Sequence, residues 1–267
     1  MPEGMSEDFS KFSFVDSDRD SHPRDFGVIK ETIHRVQEIV PILKGAVDDS
    51  LENRAGELIE KMGIEDYLKK DGQYLDVGTG KGHIIQRILA DMEKSGNPLR
   101  GYYGIDVGDK PLEQVQKREL ARQGDSVANK DNPMNFAWAT AEELPFGDEM
   151  LDGVSFDFSL HDLNQKHMSE ALSEAKRVIK PDGRIFVTED ITDSAEEMAT
   201  ARSRDKMLNL KIDNDKSNFK SEQEWDDYFD QMGLEIVAKR PFTEDKNPKV
   251  KHAFYVLKLK TEKDISE

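Results

Sequence analysis

Two hydrophobic rhythms divide the chain. Before residue 70 the apolar positions recur at helical spacing: Val28, Ile29, Ile33, Val36, Ile39, Val40 and Leu43 line one face of a helix over Phe26 to Leu43, which Pro41 bends or ends. A second amphipathic helix is predicted over Asp49 to Met62 with Gly63 as its stop, and a short third over Ile64 to Leu68. From Gln73 onward, short apolar runs alternate with helical patterns. Strands are predicted at Tyr74–Val77, Tyr102–Ile105, Asn135–Ala139, Gly153–Phe158, Arg184–Thr188, Leu234–Ala238 and His252–Leu259. The intervening helices cover Lys81–Glu93, a segment starting near Pro111 with Leu112, Val115 and Leu120, then Lys166–Ile179 and Glu222–Met232. Alternation of this kind belongs to an α/β fold, a parallel sheet with helices on both faces. The domain division expected is 1–70 as an N-terminal tail and helical cap, and 71–267 as the core. A polar insertion at 193–221 interrupts the alternation and reads as a cap over a site or as a surface excursion.

Composition narrows the classes. The 267 residues contain no cysteine, which removes disulfides, thiolate metal sites and cysteine nucleophiles together. A formal charge of −17 repels phosphate backbones, and no basic patch offsets it, so no nucleic-acid partner is expected. No apolar run approaches the ~20 residues of a membrane span, and the acidic N-terminus lacks the basic and apolar regions of a signal peptide, so a cytoplasmic location is expected. Residues Met1 to Arg24 are polar apart from Phe9, Phe12 and Phe14, and read either as disordered or as a segment that folds over a cleft. Oligomeric state, monomer or homodimer, stays open.

The densest chemistry lies at Gln73 to Ile84, Q-Y-L-D-V-G-T-G-K-G-H-I. An apolar run ends in Asp76, glycines follow at 78, 80 and 82, and a helical pattern begins: strand, glycine turn, helix. Glycines there open backbone conformations closed to other residues and leave no side chain between the turn and a ligand. A dinucleotide fingerprint fails because its third glycine would fall on His83. A phosphate-binding loop fails at Leu75 and Gly82. Ligands of open parallel sheets bind beyond the carboxyl ends of the strands, and the residues there are Asp76 to Gly82, Asp106, Thr140 to Glu142, Asp157 to His161, and Glu189 with Asp190. Asp106, an acceptor-only carboxylate after strand two, suits the two hydroxyls of a ribose; its plainer alternative is a turn cap.

The remaining pattern, D-x-G-x-G-x-G, resembles the first motif of the class I S-adenosylmethionine-dependent methyltransferases. Further motifs follow in the family's order: Y-G-I-D-V at Tyr103 to Val107, A-T-A-E-E-L-P-F at Ala139 to Phe146 before D-E-M-L-D-G-V, and R-V-I-K-P-D-G-R-I-F-V-T-E at Arg177 to Glu189. With the late Gly-Leu-Glu strand and a final apolar strand, the chain is similar to the ubiquinone and menaquinone biosynthesis methyltransferases and their small-molecule relatives.

That resemblance implies a Rossmann-like seven-stranded, mostly parallel sheet with an antiparallel last strand and a helical N-terminal extension. It implies S-adenosyl-L-methionine as cofactor, lying across strands one, two and four, and a small-molecule acceptor. Gly78, Thr79, Gly80 and Gly82 would approach the methionine part, Asp76 its amino group, and Asp106 with Val107 the ribose. The Ala141 N–H would meet the adenine edge, flanked by Glu142 and by Thr140, where relatives often carry Asp. Asp157 and Phe158 complete the cofactor set. In-line displacement from a sulfonium relies chiefly on positioning; if a base is used, Asp157 and His161 are the candidates, His161 having packing as its alternative and Asp162 reading as a helix cap. Asp157-Phe158-Ser159-Leu160 departs from the Pro-Pro-aromatic motif of enzymes acting on planar amino groups. No metal is expected, although Asp157, Glu189 and Asp190 lie at strand ends. Methylation of a protein, or cofactor binding without catalysis in a regulatory or assembly role, remain alternatives.

Overall fold

A computed structural model describes residues 53–108, 135–209, 217–245 and 247–260. The helices expected over Phe26 to Leu43 and near Pro111, and the segment Met1 to Arg24, lie outside the described residues. The elements in chain order are α1 (residues 53–62), β1 (Gln73–Val77), α2 (His83–Lys94), β2 (Gly101–Asp106), β3 (Asn135–Trp138), β4 (Leu151–Asp157), α3 (Gln165–Val178), β5 (Ile179–Ile191), α4 (Ala195–Asn209), α5 (Glu222–Gln231), β6 (Leu234–Glu244) and β7 (Asn247–Leu259). Short 3₁₀ turns occupy Ile64–Tyr67 and Leu160–Asp162.

The seven strands form one sheet in the order β3-β2-β1-β4-β5-β7-β6. β1 to β5 pair in parallel, and β7 runs antiparallel to both β5 and β6. Strand order reverses between β1 and β4, so the crevice beyond their carboxyl ends is where this topology leaves room for a ligand. Side chains alternate across the sheet, and each face builds its own core. One is filled by Val77, Val154, Phe156 and Val187 against Leu172 of α3 and Trp225 and Phe229 of α5. The other holds Tyr74, Tyr102, Phe186 and Phe254 against Leu58 and Met62 of α1 and Ile85 and Ile88 of α2.

Local chemistry sets the helix boundaries. Ser221 opens α5 with a capping box: its hydroxyl accepts from the Glu224 N–H, and the Glu224 carboxylate accepts from the Ser221 N–H at 2.7 Å. Ser221→Ala is expected to cost about 0.5–2 kcal/mol of stability, measurable by urea unfolding. The second core helix starts at His83 rather than Lys81, because Gly80 and Gly82 sit at φ 52° and 68°, in the left-handed region. Asp162 does not cap α3; it ends the 3₁₀ turn, and Asn164 caps, its side-chain oxygen accepting from the His167 N–H at 3.0 Å.

Pro181-Asp182-Gly183 does not separate helix from strand. It bulges out of a continuous β5, between the pairings Leu151 with Ile179 and Gly153 with Arg184. β6 and β7 are longer than their apolar runs and form a hairpin from Leu234–Leu259 to Glu244–Asn247. Most of β6 is half-exposed, so its outer half carries Lys239, Arg240 and Thr243 without an apolar alternation to reveal it. Within the insertion at 193–221, Ala195–Asn209 is a helix, and residues 210–216 lie outside the described set.

Candidate functional site

The glycine turn folds back on the end of β2. The N–H groups of Gly78 and Thr79 both donate to the Ile105 carbonyl, at 2.9 and 3.0 Å. Asp106, the last residue of β2, spans the turn: its Oδ2 accepts from the Gly80 N–H at 2.8 Å and its Oδ1 from the Gly108 N–H at 2.7 Å. Each oxygen keeps a further lone pair, and the side chain is only half-buried. The two flanking positions of the turn differ in what they need. A Cβ on Gly78, at φ 80°, would lie 2.7 Å from the Ser159 Cβ, whereas a Cβ on Gly80 would meet nothing within 4 Å. Gly78 is required by close packing; Gly80 faces open space.

On the face covered by α1 and α2 runs a row of buried and half-buried polar groups. Asp76 pairs in register with Ser155, Asp157 with Thr188, and Asp190 with His252. The Ser155 hydroxyl donates to Asp76 Oδ1 at 3.0 Å, and the Thr188 hydroxyl donates to Asp157 Oδ1 at 2.6 Å. Asp157 Oδ2 is inaccessible and accepts from no group among the described residues. Burial, then the neighbouring Asp157, push the Asp76 carboxyl up to about 8. Burial, then Glu189, push Asp157 up to about 6 against the donor effect of Thr188. The Tyr102 phenol, fully buried beside them, is raised by burial and then by the same two carboxylates.

Two carboxylate–imidazole contacts flank the end of β5 on opposite faces. Glu189 turns to the α3 side, where Oε1 accepts from the Leu160 and His161 N–H groups at 2.8 and 3.2 Å and Oε2 lies 2.6 Å from His161 Nδ1. His161 is 3% exposed and stacks on Phe219, ring centroids 4.5 Å apart. Asp190 turns to the α1 side, its Oδ1 2.7 Å from His252 Nδ1. His252 Nε2 faces Glu244 Oε1 at 3.1 Å, and Arg54 of α1 grips Glu244 with two hydrogen bonds of 2.9 and 3.1 Å. The Arg54 guanidinium also lies over the Phe158 ring, 5.2 Å from its centroid, and Phe158 holds φ 54°, a strained value for an aromatic residue.

The strand-end residues thus converge. Asp76, Gly78, Thr79, Gly80, Gly82, Asp106, Asp157 and Phe158 surround the turn, tied by the Ser159 hydroxyl donating to the Val77 carbonyl at 2.8 Å. Trp138 Nε1 donates to the Val107 carbonyl and the Ala139 N–H to that of Asp106, which sets the end of β3, followed by Thr140 and Ala141, beside the end of β2. Glu142 is committed to His167 Nδ1 at 2.8 Å, at the start of α3. His161 is buried behind the turn, with Glu189 fixing its ring. Sequence reading did not single out Ser155, Thr188, His252, Glu244 or Arg54. Period-two alternation from Asp157 would have found Ser155, but the register of β7 against β5 is invisible before folding. Among the described residues no group of three or more His, Asp or Glu side chains could hold a metal ion. An open groove of about 550 Å³, lined in part by Glu57, Glu60, Glu65, Arg87 and Asp91, lies between α1 and α2 and shares no residue with this set.

With this geometry, residues 75–187 match the family model described as a methyltransferase domain. Over those residues the chain is similar to a methyltransferase domain. S-adenosylmethionine is the cofactor that this likeness implies. Over 119 residues the chain is 29% identical to a ubiquinone/menaquinone biosynthesis C-methyltransferase of Geotalea daltonii, covering 45% of this chain and 46% of the relative. It is 36% identical over 115 residues to the enzyme of the same name from Brucella anthropi, covering 43% and 39%. The match therefore spans less than half the length of these relatives. A solved S-adenosylmethionine-dependent methyltransferase of Methanosarcina mazei superposes with a TM-score of 0.57 at 17% identity, covering 74% of this chain and 97% of that one, which establishes the shared fold. No described helix is long and apolar enough to cross a membrane.

Proposed function

We propose that the protein transfers a methyl group from S-adenosylmethionine to a small-molecule acceptor. The observation that carries this reading is the half-exposed Asp106 carboxylate at the end of β2, held by the Gly80 N–H at 2.8 Å, beside the buried Asp76 and half-buried Asp157 at the ends of the neighbouring β1 and β4. That arrangement suits a ligand with vicinal hydroxyls at one end and a cationic amino acid at the other: Asp106 accepts from the hydroxyls, and Asp76 with Asp157 accepts from an ammonium. Thr140, in place of a carboxylate, offers the adenine amine a weaker acceptor. When bound, the cofactor supplies a methyl group on an electron-poor sulfonium; the protein's part is to hold the acceptor in line with it and exclude water.

Neither candidate base is needed for the step: Asp157 faces the ammonium, and Glu189 and Phe219 hold His161 behind the turn as a positioning residue for Leu160 to Leu163. On the α1 side the ends of β4 and β5 are roofed, α1 bringing Arg54 over Phe158 and Met62 against Thr188. Such a roof favours a small molecule over a protein segment, as do the names of the two C-methyltransferases similar to this chain. The acidic net charge is in keeping with a role away from nucleic acid.

Isothermal titration of the full chain with S-adenosylmethionine and, separately, with NADH checks the cofactor. Saturable micromolar binding of the first alone is the expected result; tight NADH binding, or no binding of S-adenosylmethionine, would sink the proposal.

A further inference from the structure

Asp76 and Asp157 present an electrostatic problem that the described residues do not solve. Both stand on the α1 and α2 face of adjacent strands, Asp157 two residues beyond the Ser155 that pairs with Asp76. The groups acting on Asp76 are Asp157 and Ser155 of β4, Thr79 of the glycine turn and Asp106 of β2. Those acting on Asp157 are Thr188 and Glu189 of β5, with Met62 of α1 in contact with the Thr188 hydroxyl. All are neutral donors, apolar groups or further carboxylates. Among the described residues acting on the pair, none supplies positive charge. Two carboxylates so placed, one buried and one half-buried with an inaccessible Oδ2, do not ionise together at neutral pH; the pair holds one proton.

Building on the S-adenosylmethionine reading, we infer that this carboxylate pair is an exchange site for one proton and one ammonium. The cofactor's protonated amino group enters as the shared proton leaves to solvent. The charge balances: a pair holding one proton carries −1, and a fully ionised pair with one ammonium also carries −1, one proton having gone to buffer. Asp157 Oδ2, buried and without a partner among the described residues, is the acceptor left open for the incoming N–H. The two hydroxyl donors tune the exchange, because Ser155 and Thr188 each favour an ionised carboxylate before the ammonium arrives. The site therefore takes a monocation of ammonium type, and its occupancy falls with acidity.

The test is calorimetric titration of the full chain with S-adenosylmethionine at pH 7 in phosphate and in Tris, whose ionisation enthalpies differ. About one proton released per cofactor bound is expected. Asp76→Asn, which cannot share a proton, should bring the release close to zero. If that variant fails to bind or to fold, Ser155→Ala decides: losing the donor that favours ionised Asp76, it should release more protons at pH 8 than the unsubstituted protein does. Equal binding enthalpies in the two buffers, proton uptake, or an unchanged release in Ser155→Ala would overturn the exchange while leaving the cofactor reading intact. Absence of binding in the unsubstituted protein would overturn both.

Discussion

Asp106→Ala is expected to weaken S-adenosylmethionine binding by about 10- to 100-fold, the effect of losing hydrogen bonds to a charged acceptor worth about 1.5–3 kcal/mol. Two losses combine. In the proposed site the ribose hydroxyls would lose their carboxylate, and the Gly80 and Gly108 N–H groups lose the acceptor that holds the turn, at 2.8 and 2.7 Å. Asp106→Asn separates them. It keeps one oxygen for the turn but places an NH₂ against either an N–H or a hydroxyl, so an intermediate loss is expected if both roles operate. Titration calorimetry reads the affinities, and a melting curve without cofactor reads the turn. An alanine variant that binds as tightly as the parent would remove the ribose assignment.

The glycine turn and Asp106 were legible in the sequence for a physical reason. Their chemistry is local: Gly78, Gly80 and Gly82 all adopt left-handed backbone that only glycine takes readily, and Asp106 bonds across a single βαβ unit. The sheet was legible too, since apolar strands buried on both faces stand out between amphipathic helices. Legibility fails where partners are distant. His252 meets Asp190 only because β7 inserts antiparallel between β5 and β6, and Arg54 reaches Glu244 across 190 positions. Glu189 and Asp190 look like one acidic dipeptide at a strand end, yet the pleat sends them to opposite faces and different imidazoles. His161 offered two readings, and only the Glu189 and Phe219 contacts favour positioning over contact with the acceptor.

Those same buried groups make cofactor-free stability the most sensitive readout of the site. Asp157→Asn is expected to raise the melting temperature of the cofactor-free protein at pH 8 while weakening its hold on S-adenosylmethionine. Burial raises the folded carboxyl from 3.8 to about 6. Across that interval the folded protein retains a proton that the unfolded chain has released, so stability falls as pH rises from about 4 to 6 and stays lower above it. Asparagine carries no such penalty, and its oxygen still accepts from Thr188. Removing the charge, less what the unpartnered asparagine NH₂ costs in its place, is worth on the order of 1 kcal/mol, or roughly 2–4 °C at this chain length. The gain should be clear at pH 8 and nearly absent at pH 4. Thr188→Val acts in the opposite sense: it removes the one donor to Asp157 and should lower the melting temperature more at pH 8 than at pH 4. Differential scanning calorimetry at the two pH values decides the matter. A gain in Asp157→Asn that is the same at both, or a loss at pH 8, would mean that Asp157 is not the strained, ligand-seeking carboxylate argued above. A site that destabilises its empty fold at the point where it binds a cation is under tension that the cofactor relieves, and removing the tension removes part of the affinity.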